Sequence, residues 1–184
     1  IYILQLEKKY EEALALTEET IAAHSEELNK TENKFALLKF YSALAEIYTD
    51  KKAYEKALEI YYKSAAIYEN EGMVDDIIYY LKLHNISGIL SSLLYDERAF
   101  EYADKLEILL ADKIAAVGKT YGNYNGLIYL SVNNYITKAL LYKKKQELPK
   151  AIIYAKKAET LSIAEKQYHL LPRIYAMLGN MYVG

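Results

Sequence analysis

The residues with the clearest chemical potential are Gly118-Lys119-Thr120, which match the end of a phosphate-binding loop. That loop, G-x-x-x-x-G-K-[ST], lies between a strand and a helix and holds phosphates with backbone N–H groups. Its first glycine would fall at position 113, where this chain has Lys113, and the residues before it have helical spacing. The sequence therefore predicts no nucleotide site here, but a flexible connector that contains Gly118, Gly122 and Gly126.

The other residues that could bind metals or catalyse reactions form no known motif. The histidines are far apart in the sequence, and none belongs to an H-E-x-x-H motif: they are His24, His84 and His169. The paired carboxylates Glu11-Glu12 and Asp75-Asp76 lie at predicted helix starts, where acidic groups complement the helix dipole. The chain has no cysteine, which excludes thiolate zinc sites and a cysteine nucleophile. We therefore predict that this segment is not an enzyme and holds no metal or cofactor.

The composition limits the classes of partner. The 184 residues are 53% hydrophobic and 26% charged, so the chain can bury a core and keep a polar surface. The net charge is −2, and the longest basic run, Lys143-Lys144-Lys145, lies at a predicted helix end. Nucleic acid is therefore not expected as a partner of this segment, since phosphate binding needs clustered Lys and Arg. No apolar run approaches the roughly 18–20 residues of a membrane span, so no membrane partner is expected either.

The chain has the periodicity of helices throughout. Apolar residues recur at three- and four-residue spacing, as in Leu44, Ala45 and Tyr48, which predicts an all-α fold. Pro149 and Pro172 are the only prolines, and each is predicted to lie near a helix start. The predicted helices span about Lys8–Asn29, Glu32–Thr49, Ala53–Asn70, Val74–Tyr95, Glu97–Val117, Asn123–Lys145, Pro149–Lys166 and Leu171–Val183.

A repeated pattern of small residues and tyrosines groups these helices into pairs. The first complete unit has Tyr41-x-x-Leu44-Ala45-x-x-Tyr48 in one helix and Ala57-x-x-x-Tyr61-x-x-Ser64 in the next. Small residues of this kind predict positions where two helices approach closely. Across the chain these positions are Ala13, Ala45, Ala57, Ser91, Ala103, Ala139, Ala151 and Gly179.

This pattern resembles the tetratricopeptide repeat family over essentially the whole chain, most clearly at Ala53–Tyr61 and Tyr175–Tyr182. The resemblance implies a right-handed α-α superhelix, a solenoid of antiparallel helix pairs. The whole chain, residues 1–184, would form a single array. Its expected parts are a partial repeat at 1–30, repeats at about 31–73, 74–122 and 123–166, and a partial repeat at 167–184.

Two features depart from the family pattern. The alanines at positions 13, 57, 103 and 151 are 44, 46 and 48 residues apart, whereas the usual period is about 34 residues. This spacing resembles long-helix variants in bacterial regulatory proteins. Glu107 replaces an aromatic residue, and Lys138 replaces a leucine. Either side chain would be costly if fully buried, so we expect these repeats to be locally open or shifted in register.

An array of helix pairs offers a concave surface lined mainly by the first helix of each pair. Counting from the matched small residues places one polar column at Lys39, Asn85, Asn133 and Arg173. A neighbouring column adds Glu46, Ser92 and Asn180. Such side chains could hold the backbone of an extended peptide through hydrogen bonds. The alternative is that they form an ordinary solvated helix surface.

The predicted function is a non-catalytic protein- or peptide-binding scaffold, or a sensor segment of a larger bacterial regulatory protein. The bacterial regulatory context is implied by the resemblance alone. The alternatives are a regulator domain of the peptide-pheromone-receptor type and an enzyme that uses the groove as its active site. The expected partner is a protein or peptide, and self-association through the incomplete end repeats is a further prediction.

Overall fold

The protein is all-α in the part of the chain that its computed structural model describes, residues 9–28, 30 and 33–183. No strand occurs among these residues, which confirms the predicted fold class. The α-helices are α1 (Tyr10–Ala23), α2 (Ser25–Leu28), α3 (Lys34–Asp50), α4 (Tyr54–Asn70), α5 (Ile77–Ser92), α6 (Asp96–Ala116), α7 (Tyr124–Lys144), α8 (Leu148–Ala164) and α9 (Leu171–Tyr182). A short 3₁₀ helix, Tyr168–Leu170, precedes α9.

The helices form two compact units. In unit 1, Ile1–Val74, helices α1 and α4 both pack against α3. In unit 2, Asp75–Gly184, the pairs α5–α6 and α7–α8 pack together through α7, and α9 packs on α8. The right-handed superhelix and the division into one continuous array stay predictions.

Three helix pairs share the same three-residue connection. The middle residues of these connections, Lys52, Leu94 and Gln146, have φ angles of 58°, 65° and 62°. In each case the next backbone N–H donates to the carbonyl five residues earlier, over 2.8–2.9 Å, in the manner of a Schellman cap. A glycine usually takes this left-handed position, so the sequence gives no glycine signal for these three turns.

The shared turn corrects the predicted register of the middle repeat. Counting five residues on from each left-handed residue reaches Ala57, Ala99 and Ala151, which are all fully buried. The equivalent of Ala57 is therefore Ala99 and not Ala103, and the steps between equivalent alanines are 42 and 52 residues. In the same way Ser87, not Ser91, is equivalent to Ala45 and Ala139 in the first helices.

A hydrogen bond between α5 and α6 supports this corrected register. Ser87 is fully buried, and its hydroxyl donates to the carbonyl of Ala99 at 2.8 Å, which joins α5 to α6 at their crossing. Ser91 is only half-buried. Ser87 and Ser91, like Ala99 and Ala103, are small residues one helical turn apart. The sequence pattern could not distinguish the two registers because 3.6 residues complete a turn.

Two glycines also lie elsewhere than predicted. Gly179 is exposed, and a Cβ atom built there meets no atom within 4 Å, so it is not at a close helix contact. Gly126 lies inside α7, not in the connector. A Cβ atom at Gly126 would lie 2.8 Å from Cδ1 of Ile77, so this glycine permits a close approach of α5 to α7.

Replacing Leu94 by glycine is expected to stabilise the protein by about 0.5–1 kcal/mol. A non-glycine residue in the left-handed region costs roughly 1–2 kcal/mol, and the greater freedom of glycine in the unfolded chain offsets part of the gain. The Leu94 side chain is 77% exposed, so little packing is lost. Urea unfolding would measure the change. Leu94→Ala is the control, because it keeps the Cβ atom; equal stabilisation by alanine would contradict the explanation.

Candidate functional site

Helix α7 and the segment that contains α9 meet through two aligned contacts. Asn133 in α7 is buried; its Nδ2 donates to the carbonyl of Tyr129 at 2.9 Å, and its Oδ1 accepts a hydrogen bond from Nη1 of Arg173 at 3.2 Å. One turn earlier, the ring of Tyr129 stacks on His169, with centroids 6.1 Å apart and an interplanar angle of 12°. These four residues, Tyr129, Asn133, His169 and Arg173, are called the α7–α9 face below.

Helix α5 lies within electrostatic range of this face through His84. Burial lowers the pKa of His84 to about 4, and the positive charge of Arg173 adds to the effect. The Nδ1 atom of His84 is buried and has no hydrogen-bond partner among the described residues. His84 is therefore a neutral imidazole at pH 7, and the charge of Arg173 favours this neutral form.

Arg173 is exposed, and the described part of the chain supplies no carboxylate to it. A guanidinium has five N–H donors, and the contact to Asn133 uses one of them. The remaining N–H donors of the guanidinium can bind carbonyl or carboxylate oxygens of a ligand. The Asn133 contact restricts the orientation of the guanidinium, which lowers the entropy that binding must remove.

The structure brings only two residues of the predicted polar column into contact. Asn133 and Arg173 are in contact. Asn85 is half-buried, and in the register set by Ser87 the equivalent of Asn133 is Leu81 and not Asn85. The other predicted residues are exposed and none is in the Asn133–Arg173 contact: Lys39 and Glu46 in unit 1, and Ser92 and Asn180 in unit 2. Their role in binding stays a prediction.

Sequence reasoning missed the aromatic half of the face. Tyr129 precedes Asn133 by four residues, and His169 precedes Arg173 by four. Residues at this spacing lie on the same side of a helix, so the two pairs carry a signal that could have identified the face. The signal was weak because the second pair starts in a 3₁₀ helix and continues into α9.

A second cluster of charges joins α6, α7 and α8. Lys138 is 4% exposed, and its ammonium pairs with Asp104 at 2.6 Å and with Glu107. It also lies over the ring of Tyr154, 4.4 Å from the centroid. Burial by itself lowers the pKa of Lys138, but the hydrogen bonds from Lys138 to Asp104 and Glu107 outweigh burial and raise it. Lys157 approaches Glu107 at 3.4 Å from α8.

This cluster corrects the expectation that the repeats are locally open at Glu107 and Lys138, whereas the register of the middle repeat does differ from the predicted one. The two unusual residues are each other's partners, 31 positions apart in the sequence. The charges of Glu107 and Lys138 therefore compensate one another within the seam between α6 and α7.

The connector between α6 and α7 has no phosphate-loop geometry. A helix precedes it, as predicted, whereas the phosphate loop requires a strand. The ammonium of Lys119 lies 2.9 and 3.0 Å from the two carboxylate oxygens of Glu165, so this lysine is paired with an acid at the end of α8. Among the residues described, no group of three or more His, Asp and Glu side chains is arranged to hold a metal ion.

The helices do not have the length and apolar character of membrane spans in the described part of the chain. No protein-family model matches the sequence, and no curated protein matches it. Among solved structures, the crystal structure of BtubC (BKLC) from P. vanneervenii is similar, with a TM-score of 0.70 and 19% sequence identity. The match covers 97% of this chain and 70% of that chain. At this identity the likeness supports the all-helical fold and carries no function.

Proposed function

We propose that this chain is a non-catalytic protein- or peptide-binding module that holds an extended segment of its partner on the α7–α9 face. The observation that carries the proposal is the exposed guanidinium of Arg173, oriented by Asn133 and without a carboxylate partner in the described residues. Its free N–H groups suit peptide carbonyl oxygens or a carboxylate side chain.

The aromatic half of the face provides a second kind of contact. Tyr129 and His169 are both exposed although their rings stack on each other. A stacked pair presents a rigid, amphipathic surface whose ordering costs little side-chain entropy on binding. One partner residue could therefore pack against these rings while the neighbouring peptide group bonds to Arg173.

The repeated architecture supports the same function. Arrays of helix pairs bind partners along the surface formed by their first helices, and α5 and α7 are the first helices of the two complete pairs in unit 2. The resemblance to tetratricopeptide repeats supports a scaffold or sensor role within a larger bacterial regulatory protein.

Peptides selected from a displayed random library against the wild-type chain provide the test. Arg173→Gln is expected to weaken their binding about tenfold or more, because a hydrogen bond to a charged group contributes about 1.5–3 kcal/mol. Lys143→Ala removes an exposed cation elsewhere on α7 and is the matched control, with little expected change. Fluorescence polarisation would measure both affinities.

Retained affinity in Arg173→Gln would contradict the proposal, provided that the variant melts like the wild type. Tyr129→Ala separates the two halves of the face, since it removes the aromatic surface and leaves the side-chain contact between Asn133 and Arg173. Asn133→Ala is a poor test, because Asn133 is buried and its removal affects stability as well as binding.

A further inference from the structure

A cavity of about 260 Å³ lies between α6, α7 and α8, inside unit 2. An engineered cavity of about 150 Å³ with an apolar lining is large enough to bind benzene, so this space can hold a small organic group. Its apolar lining includes Leu110 and Ile114 from α6, Ile128 from α7 and Leu161 from α8. The α7–α9 face contributes no residue to this lining, so the cavity is separate from the proposed peptide site.

Apart from the phenols of Tyr124 and Tyr135, which can both donate and accept, the polar side chains of the lining present mainly acceptors. Glu107 and Glu165 contribute carboxylates, and no basic side chain lines the cavity. Ser131 commits its hydroxyl proton to the carbonyl of Leu127 at 2.9 Å, which leaves its oxygen lone pairs as acceptors. Asn134 is fully buried; its Nδ2 donates to the carbonyl of Ala103 at 2.8 Å, but its Oδ1 has no partner among the described residues.

The cations that balance these carboxylates approach from outside the lining. Lys138 and Lys157 pair with Glu107, while Lys119 reaches Glu165 from the connector before α7. The side chain of Lys119 is 71% exposed. The side chain of Glu165 is only 18% exposed, so its carboxylate keeps a need for a cation, and an ammonium group can replace the mostly solvated Lys119 on it.

We propose that this cavity binds a primary ammonium group carried on an apolar stem. The ammonium takes the place of Lys119 on Glu165, and the stem lies against Leu110, Ile114 and Ile128. A small free amine and a lysine side chain of a partner protein share this chemistry.

The experiment is an NMR titration of the folded chain with three probes of similar shape: phenethylamine, 2-phenylethanol and phenylacetate. The amine is expected to bind at millimolar concentration or below, with shifts at Ser131 and Asn134, and the neutral and anionic probes at least about tenfold more weakly. Equal or tighter binding of the alcohol or the anion would overturn the proposal. So would the lack of a saturable shift with the amine up to about 10 mM.

Two variants provide opposite expected changes. Glu165→Gln removes the anionic acceptor and should weaken amine binding about tenfold, whereas Lys119→Ala removes the internal competitor and should tighten it about two- to fivefold. Weaker binding in Lys119→Ala would overturn the proposal, because its exposed side chain contributes little to folding. A salt titration of the wild type is independent of any change in folding, and amine affinity that does not fall with added salt would also contradict an ionic site.

A lysine-containing tripeptide with blocked ends distinguishes the two sources of the ligand. Tighter binding of phenethylamine assigns the cavity to a free amine, and tighter binding of the tripeptide assigns it to a lysine of a partner. Arg173→Gln should leave both affinities unchanged, so failure at this cavity and failure at the α7–α9 face would be seen separately.

Discussion

Neutralising both carboxylates beside Lys138, by Asp104→Asn together with Glu107→Gln, is expected to destabilise the protein by about 3–5 kcal/mol. The substitutions keep the size of the two side chains but leave the buried ammonium of Lys138 without an anion. Its contact with the ring of Tyr154 remains, but a cation–π contact contributes only about 0.5–2 kcal/mol. A buried charge without an anion costs more than this contact returns.

Removing the lysine is expected to be the milder change. Lys138→Met should cost no more than about 1–2 kcal/mol, because the buried charge disappears together with its desolvation penalty. The carboxylates that remain can reach water, since Asp104 is 57% and Glu107 23% exposed. Glu107 also keeps Lys157 as a partner.

Urea unfolding of both variants would measure the asymmetry. Glu59→Gln, which removes one partner of the exposed Glu59–Lys63 pair, is the matched control and should change the free energy of unfolding by at most about 0.5 kcal/mol. A greater loss in Lys138→Met than in the double carboxylate variant would show that the ion pair, and not the buried ammonium, dominates the energetics of this cluster.

The helices themselves could be predicted because their apolar residues follow the 3.6-residue period closely. Val74–Tyr95, for example, was predicted as one helix, and the structure has Ile77–Ser92, with the Asp76 carboxylate accepting from the N–H of Ile78 at 2.7 Å. The prediction is less accurate for the early part of the chain, since the predicted helix Lys8–Asn29 is interrupted at His24. Local patterns thus predict the presence of helices better than their ends.

The register and the ion pairs could not be derived in the same way. Ser87 and Ser91 satisfy the same pattern, and only the turn at Leu94 and the packing of α5 against α6 distinguish them. Glu107 and Lys138 each looked unfavourable when considered alone, because their contact depends on how α6 and α7 pack. The candidate site was partly predictable for a related reason: counting along the sequence groups Asn133 with Arg173, but the residues around them depend on how the helices cross.

Acidification from pH 7 to pH 4 is expected to remove about 3 kcal/mol of stability through His84 alone. The folded chain lowers the pKa of His84 to about 4, whereas an imidazole in an unfolded chain titrates near 6.5. Between these values the unfolded chain binds a proton that the folded chain does not, so stability falls as the pH falls. Below about pH 4 both states are protonated, and the contribution of this group becomes constant.

Unfolding by urea at a series of pH values, for the wild type and for His84→Gln, would isolate this contribution. The quantity to compare is the free energy of unfolding of the wild type minus that of His84→Gln. Carboxylates titrate in both proteins, so their contributions cancel in this difference. The difference should decrease between about pH 6.5 and 4, as the wild type loses stability. In an Arg173→Gln background the loss of stability on acidification should be smaller, because the positive charge of Arg173 adds to the effect of burial on the pKa of His84. His169→Gln, which removes an exposed imidazole from the α7–α9 face, is the matched control. If the His84→Gln difference were flat over this range, the folded chain would not keep His84 neutral at pH values where the unfolded chain protonates it.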